Sequence, residues 1–215
     1  MSVLSEDLTP RLVEAVISGE LTPGTKLSEP ELARRYAVGR GSVREALLRL
    51  EGLGLVERLP RQGARVVQLT AEGLTELFAV REALEGMACR LAAAAITREE
   101  AESLTRLLDE HQKFVDSQEV YLRQQGEEDF HYLLFKASHN QMLVGLLCDE
   151  LYQLLRMYRH RLSYRHSDPR LALREHRQIL DAVLQGDGEL AELLMRRHVA
   201  RSRNHLLAQF QEEMQ

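Results

Sequence analysis

The stretch "AVGRGSVREALLRLEGLGLVERLPRQGARVV", Ala37 to Val67, sets the reading of the chain. Between Arg34 and Arg65 the chain around it gathers eight Arg against three Glu, a local net charge of +5 in a 215-residue protein whose formal net charge is −5. Residues 42–52 put Val43, Ala46, Leu47 and Leu50 on one helical face. Two β-favouring pieces follow, "GLVERL" and "ARVVQL", and Pro60 and Gly63 mark a turn between them. Upstream, "TPRLVEAVIS" predicts a helix with Thr9 as N-cap and Pro10 in its first turn. Pro23-Gly24 breaks the chain, and Ser28 with Glu31 predicts a capping box for a second short helix ending near Tyr36. Three helices followed by a two-stranded hairpin outline a winged helix-turn-helix.

That outline explains the arginines. The second helix of such a pair enters the major groove with its N-terminal end first. Arg40 and Arg44 sit at that end with Ser42 between them. A guanidinium there can fork guanine O6 and N7 or clamp a phosphate. Gly39 and Gly41 carry no side chain, so the backbone can approach the sugar-phosphate closely, while Arg58, Arg61 and Arg65 line the hairpin. Each phosphate neutralised releases counterions, which makes the affinity salt-sensitive. A solvated arginine face with no partner is the plain alternative, and the hairpin that follows counts against it.

From Thr70 onward strand signals vanish. Apolar residues recur at helical spacing in six segments, 71–95, 98–116, 118–138, 141–163, 169–185 and 188–213. Thr97 with Glu100 caps the second, Asn140 precedes the fourth, and Gly186–Gly188 separates the last two. Short loops between long amphipathic helices imply an antiparallel all-α bundle. The expected protein is therefore mainly α, with a winged helix-turn-helix domain at 1–69 and an all-helical domain at 70–215. Charge divides along the same line, with a net of +1 over residues 1–68 and −6 over 69–215. The sequence has no apolar run of membrane-spanning length and no signal-peptide pattern, so a cytoplasmic protein without membrane association is expected. Cys89 and Cys148 lie in apolar helical surroundings and read as buried thiols.

Several histidines of the bundle invite a metal. Glu127 and His131 are four residues apart and share one helix face. His176 interrupts the apolar stripe Ala172, Leu173, Ile179, Leu180 and Val183, and His198 the stripe Ala191, Leu194 and Met195. His176 lies ten residues before Gly186 and His198 twelve after, so an antiparallel pair sets both imidazoles at nearly equal depth. Each histidine alone reads as a hydrogen-bonded core residue. Together, Glu127, His131, His176 and His198 form a candidate set for a divalent ion, Zn foremost with Ni, Mn or Fe as alternatives. His205, seven residues past His198, shares its face and is a candidate pocket residue. His111, His139, His160 and His166 read as surface.

On the stripe of 71–95, Arg81 sits among Leu74, Leu77, Phe78, Leu84, Ala88 and Leu91, with Glu85 one turn on. A buried arginine needs a partner, because an unpaired buried charge is costly. Either Arg81 and Glu85 form an internal pair, or the guanidinium grips a carboxylate ligand. Tyr152 or Tyr158 can add a hydroxyl to such a pocket.

The segment "GELTPGTKLSEPELARRYAVGRGSVREALLRLEGLGLVERLPRQGARVV" resembles the winged helix-turn-helix of the GntR family of bacterial transcription regulators. The likeness rests on Pro23-Gly24, Leu27 to Glu29, Val43 to Leu47 and Gly63. It implies that Arg40 and Arg44 contact DNA and that Gly63 is the wing tip; the candidate DNA-binding set is Arg34, Arg40, Ser42, Arg44, Arg49, Arg61 and Gly63. Four positions depart from the family pattern: Gly39, Gly41 and Ser42 stand where Ser, Thr and Pro are usual, and Pro30 where many members have Arg. The helical remainder is similar to the FCD-type ligand-binding domain of the FadR subfamily. That likeness implies a metal held by a carboxylate four before Phe130-His131, then by His176 and His198; the family generally has Asp where Glu127 stands. It also implies that the arginine of "REALE", Arg81, reaches the effector pocket, for which Glu85, Tyr152 and His205 are further candidates.

The function expected is that of a homodimeric repressor, not an enzyme, that binds a pseudo-palindromic double-stranded operator and responds to a small carboxylate bound with the metal. Two alternatives remain open: a metal sensor in which the ion itself is the signal, and a metalloenzyme, for which no general base or nucleophile stands beside the ligands.

Overall fold

The structure is a computed structural model that describes residues 7–117, 130–162 and 168–213. Helices α1 (Thr9–Ile17), α2 (Glu29–Tyr36) and α3 (Arg40–Gly52) accompany a small antiparallel sheet in the order β1-β3-β2, with β1 (Lys26–Leu27) between α1 and α2, and β2 (Val56–Leu59) and β3 (Gly63–Val66) after α3. The helical remainder comprises α4 (Ala71–Ala95), α5 (Arg98–Ser117), α6 (Phe130–Lys136), α7 (Gln141–Val144), α8 (Leu151–Arg161), α9 (Pro169–Leu184) and α10 (Gly188–Glu213). A π-helical turn, Gly145–Glu150, joins α7 to α8.

Two compact units result. The first runs to Gly73 and takes in α8; the second holds Leu74–Cys148 with α9 and α10. In the first, Leu12, Val43, Leu47, Leu50, Leu55 and Val66 are completely or almost completely buried. Each such side chain contributes roughly 1.5–3 kcal/mol by leaving water. Met157 of α8 belongs to the same core, with Leu154 packed against it. The Tyr158 hydroxyl donates to Thr70 O at 3.0 Å and accepts from Thr70 N at 3.3 Å, and Arg156 Nη2 reaches Glu14 Oε2 at 3.0 Å. The family of contacts around α8 is therefore built by residues far apart in sequence.

The hairpin closes through Pro60–Gln62, with Leu59 paired to Gly63 and Val56 to Val66. Gly63 has φ 83°, a conformation glycine adopts at no cost, and Arg61 takes φ 65°. The expected hairpin gains a third strand, because Lys26 pairs with Arg65 and Leu27 with Ala64. A two-residue strand is too short to show any alternation in sequence.

In the second unit α9 packs against α10 and α5 against α9 and α6. Gly186, φ 73°, ends α9 by returning its N–H to Val183 O, and Asp187 N–H returns to Ala182 O, so the chain reverses tightly into α10. Thr97 and Glu100 form the expected capping box: Thr97 N–H donates to Glu100 Oε2 at 2.8 Å and Glu100 N–H to Thr97 Oγ1 at 3.3 Å. Asn140 Oδ1 caps α7 by accepting from Leu143 N at 3.2 Å.

Some local expectations fail. Thr9 is not the N-cap of α1; Leu8 occupies that position and the Asp7 carboxylate accepts from Thr9 N–H at 3.0 Å. Ser28 is the N-cap residue of α2, but its side chain makes no capping bond. α3 starts at Arg40, two residues earlier than the expected start at Ser42. The segment expected as one helix over 141–163 is interrupted by the π turn. His111, read as surface, is buried on α5, and Cys89 and Cys148 are buried free thiols as expected.

Candidate nucleic-acid interface and metal centre

The head presents its arginines outward. Arg40 opens α3 and is exposed, as are Arg34, Arg44, Arg49 and Arg61, while Ser42 is half-buried in the first turn of α3. Gly63 is exposed at the start of β3. Val43, Ala46, Leu47 and Leu50 face the opposite way into the core, so one face of α3 is committed to packing and the other is open. The open arginines hold acidic neighbours. Arg44 pairs with Glu29 at 3.1 Å, which keeps that carboxyl below its usual range; Arg58 pairs with Glu51 at 2.9 Å. Arg49 bridges Asp7 at 2.6 Å and Glu45 at 2.9 Å. Exposed pairs of this kind are weak and exchange readily for another anion.

In the second unit three histidines converge. His131 on α6, His176 on α9 and His198 on α10 are buried, and one nitrogen of each lies within 4.8 Å of the others. The reversal at Gly186 sets His176 and His198 level, with their Nε2 atoms 3.3 Å apart. Tetrahedral zinc with Zn–N bonds of about 2.0–2.1 Å places neighbouring ligand nitrogens about 3.3 Å apart, so this pair is spaced as a metal pair. Burial pushes the His198 imidazole down to about 4, against the opposing pull of Glu175. At neutral pH the ring is therefore uncharged, the form that ligates. Phe130 stacks on His176 at 4.3 Å between ring centroids and walls the site with an apolar face.

Two carboxylates stand behind the histidines. His198 Nδ1 is 2.7 Å from Glu175 Oε2, and Arg201 donates through Nε to Glu175 Oε1 at 2.6 Å and through Nη2 to Oε2. Burial raises the Glu175 carboxyl, but the bonds from His198 and Arg201 outweigh it and hold it at about 2. On the other side His131 Nδ1 is 3.2 Å from Glu85 Oε2, and Arg81 Nε donates to Glu85 Oε1 at 2.6 Å. Burial likewise opposes the charge on Glu85, and Arg81 and His131 overcome it, leaving the carboxyl well below its usual range. The internal Arg81–Glu85 pair thus forms. Yet Nη1 of Arg81, a buried atom of the guanidinium that lies 4.6 Å over the Phe78 ring, has no hydrogen-bond partner among the described residues.

Residues 4–66 match the family of bacterial regulatory proteins called gntR, and residues 76–201 match the FCD domain. The chain belongs to the GntR family and carries an FCD domain. It is 31% identical over 202 residues to the HTH-type transcriptional regulator YdhC of Bacillus subtilis, covering 91% of this chain and 85% of that one. It is 28% identical over 180 residues to the HTH-type transcriptional repressor RspR of Escherichia coli, covering 83% and 78%. Among solved structures, McbR/YncC of E. coli superposes with a TM-score of 0.72 over 98% of this chain and 100% of that one, at 22% identity, a likeness of fold.

As a GntR-family regulator of the FCD type, the chain places its expected site residues unevenly. His131, His176 and His198 are brought together, and Arg81 and Glu85 lie beside His131. Glu127, the expected carboxylate ligand, lies outside the described residues, as does His166. His205 is half-buried on α10, and among the described residues it is not part of the histidine cluster. Tyr152 is half-buried on α8, in the unit that contains the head. The sequence reading passed over Glu175 and Arg201. Their signal was faint but present: Glu175 directly precedes a stripe histidine, and Arg201 follows another by three residues. No described helix is long and apolar enough to cross a membrane.

Proposed function

We propose that this GntR-family protein is a cytoplasmic, homodimeric repressor that binds a pseudo-palindromic double-stranded operator and is controlled by a small carboxylate held with a divalent metal in its helical domain. The observation that carries the reading is the buried triad of His131, His176 and His198 with Arg81 Nη1, unsatisfied among the described residues, in the same unit. Three buried imidazoles would supply a metal with part of its ligand shell, Glu127 is the candidate fourth ligand, and the His176–His198 nitrogen spacing fits zinc. A metal held there would supply a Lewis acid for a carboxylate ligand, and Arg81 would grip that ligand through Nη1, an atom whose burial otherwise costs free energy. Glu85 holds Arg81 in place, and His205 is a candidate for a further contact. DNA is bound through Arg34, Arg40, Ser42, Arg44, Arg49, Arg61 and the Gly63 wing tip, and the repressor sign follows that of RspR.

The test joins two measurements on full-length protein. Binding to DNA from upstream of its own gene is followed by fluorescence anisotropy across a salt series, and small carboxylates are screened by thermal shift with zinc and with chelator. The reading expects steep salt dependence, and a carboxylate that raises the melting point only with metal present and changes DNA affinity. Protein that ignores this DNA at low salt, or that never responds to a carboxylate, sinks it. The Arg81–Glu85 pair favours a second reading, a metal sensor, since the guanidinium already has an anion. In that case chelation alone changes DNA affinity and no carboxylate adds to the effect.

A further inference from the structure

We infer that Glu175 is a positioning residue for the metal site: it accepts from Nδ1 of His198 and thereby turns Nε2 of that ring towards the ion, while Arg201 locks the carboxylate in place. The inference rests on reading the triad as a metal site.

The geometry is specific. A neutral imidazole has one N–H and one lone pair, and the partner of one nitrogen decides the role of the other. At 2.7 Å the acceptor-only Glu175 carboxylate fixes the proton of His198 on Nδ1. The lone pair on Nε2 then faces His176 Nε2, 3.3 Å away, where the two rings would both be available to an ion. Arg201 bonds both oxygens of Glu175, so the acceptor cannot rotate aside. A ligand and the orienting carboxylate of the opposite ligand sit side by side on α9 as Glu175 and His176, and Arg201 lies one turn beyond His198 on α10. A related proximity exists at His131, whose Nδ1 lies 3.2 Å from Glu85 Oε2, while Arg81 bonds Oε1 of the same carboxylate. A plain ion-pair staple between α9 and α10 would explain Arg201–Glu175 but not the selection of Nδ1. Outer carboxylates of this kind commonly change metal affinity by about 10- to 100-fold.

The experiment uses full-length wild type, E175A, E175Q and R201A. Zinc affinity is measured by competition with a chromophoric chelator, and the imidazole nitrogen spectrum of His198 is recorded without metal and with zinc. The metal-free wild type is expected to carry the His198 proton on Nδ1, and E175A to lose that preference. Zinc affinity is expected to fall by about 10- to 100-fold in E175A and by less in E175Q, whose amide oxygen still accepts. Should E175A fail to fold, R201A decides, with a severalfold loss expected as the carboxylate loses its anchor. Folded E175A, or R201A in its place, that binds zinc with wild-type affinity overturns the inference, as does an unchanged Nδ1 proton in E175A. Wild type that takes up no zinc overturns the metal reading, and this inference with it.

Discussion

Arg44 and Arg81 are the same residue in opposite settings. The Arg44 side chain is 62% exposed and its carboxylate partner, Glu29, belongs to another helix of the head. Arg81 is 6% exposed, pairs with Glu85 one turn away on α4, and lies against Phe78. Water screens the first pair, so it contributes little to stability and its guanidinium is free to trade Glu29 for a phosphate. The second pair is dry. There, losing a partner leaves a charge with nothing to solvate it, and the interaction that specifies the site also makes it fragile. On the proposed function, charge on the head serves affinity for an outside anion, while charge in the bundle holds internal geometry.

The largest expected effect lies on the buried side. Arg81→Ala strands Glu85 and is expected to destabilise the protein by about 3–5 kcal/mol, read from denaturant unfolding. Replacing both partners by apolar residues, Arg81→Met with Glu85→Leu, should recover most of that loss, since no buried charge then remains. Zinc affinity should stay depressed in the double variant because His131 has lost its neighbouring carboxylate. If Arg81→Ala unfolds like wild type, the contrast between the two arginines collapses.

On the exposed side, Arg44→Ala should leave the unfolding curve in place and act on DNA alone. Operator affinity is expected to fall roughly 10- to 100-fold if the guanidinium reads a base edge. If it clamps a phosphate, the loss is uniform across sequences and the salt slope becomes shallower by about 1. Arg40→Ala probes the neighbouring position at the start of α3 in the same assay. A variant that shifts the melting point but not DNA binding would place Arg44 in the structural class instead.

What could be read from sequence follows the range of the interactions. The helices of the bundle announce themselves by apolar period, and the histidine triad was visible because Gly186 fixes where the α9–α10 hairpin turns, and hence which residues stand level. Strand β1 was invisible because Lys26 and Leu27 acquire strand character only by pairing with β3. Met157 looked like any bundle residue; its place in the core of the head depends on a long-range pairing that leaves no local pattern. Thr9 lost its capping role to Asp7, two residues away, because a carboxylate is the stronger acceptor for a helix N-terminal N–H. Glu175 and Arg201 went unread because each looks like the polar edge of an amphipathic helix until the two helices are brought together.

The smallest expected effect tests whether a half-exposed charge follows the rule of the head or that of the bundle. Glu100 caps α5 by accepting from Thr97 N–H, and His139 Nε2 lies 3.0 Å from its Oε1. Burial alone would raise the carboxyl, but the bonds from Thr97 and His139 hold it below its usual value. A carboxyl lowered on folding adds stability that is complete above its unfolded value, about 4.3, and disappears as the pH falls through the lower folded value. Glu100→Gln should therefore lower the melting point at neutral pH by a few degrees at most. Below the folded value the wild-type and Gln curves should converge, since both side chains are then uncharged. A gap between the two melting curves that persists unchanged into acid would mean that the cap works by shape and hydrogen bonding and owes nothing to charge.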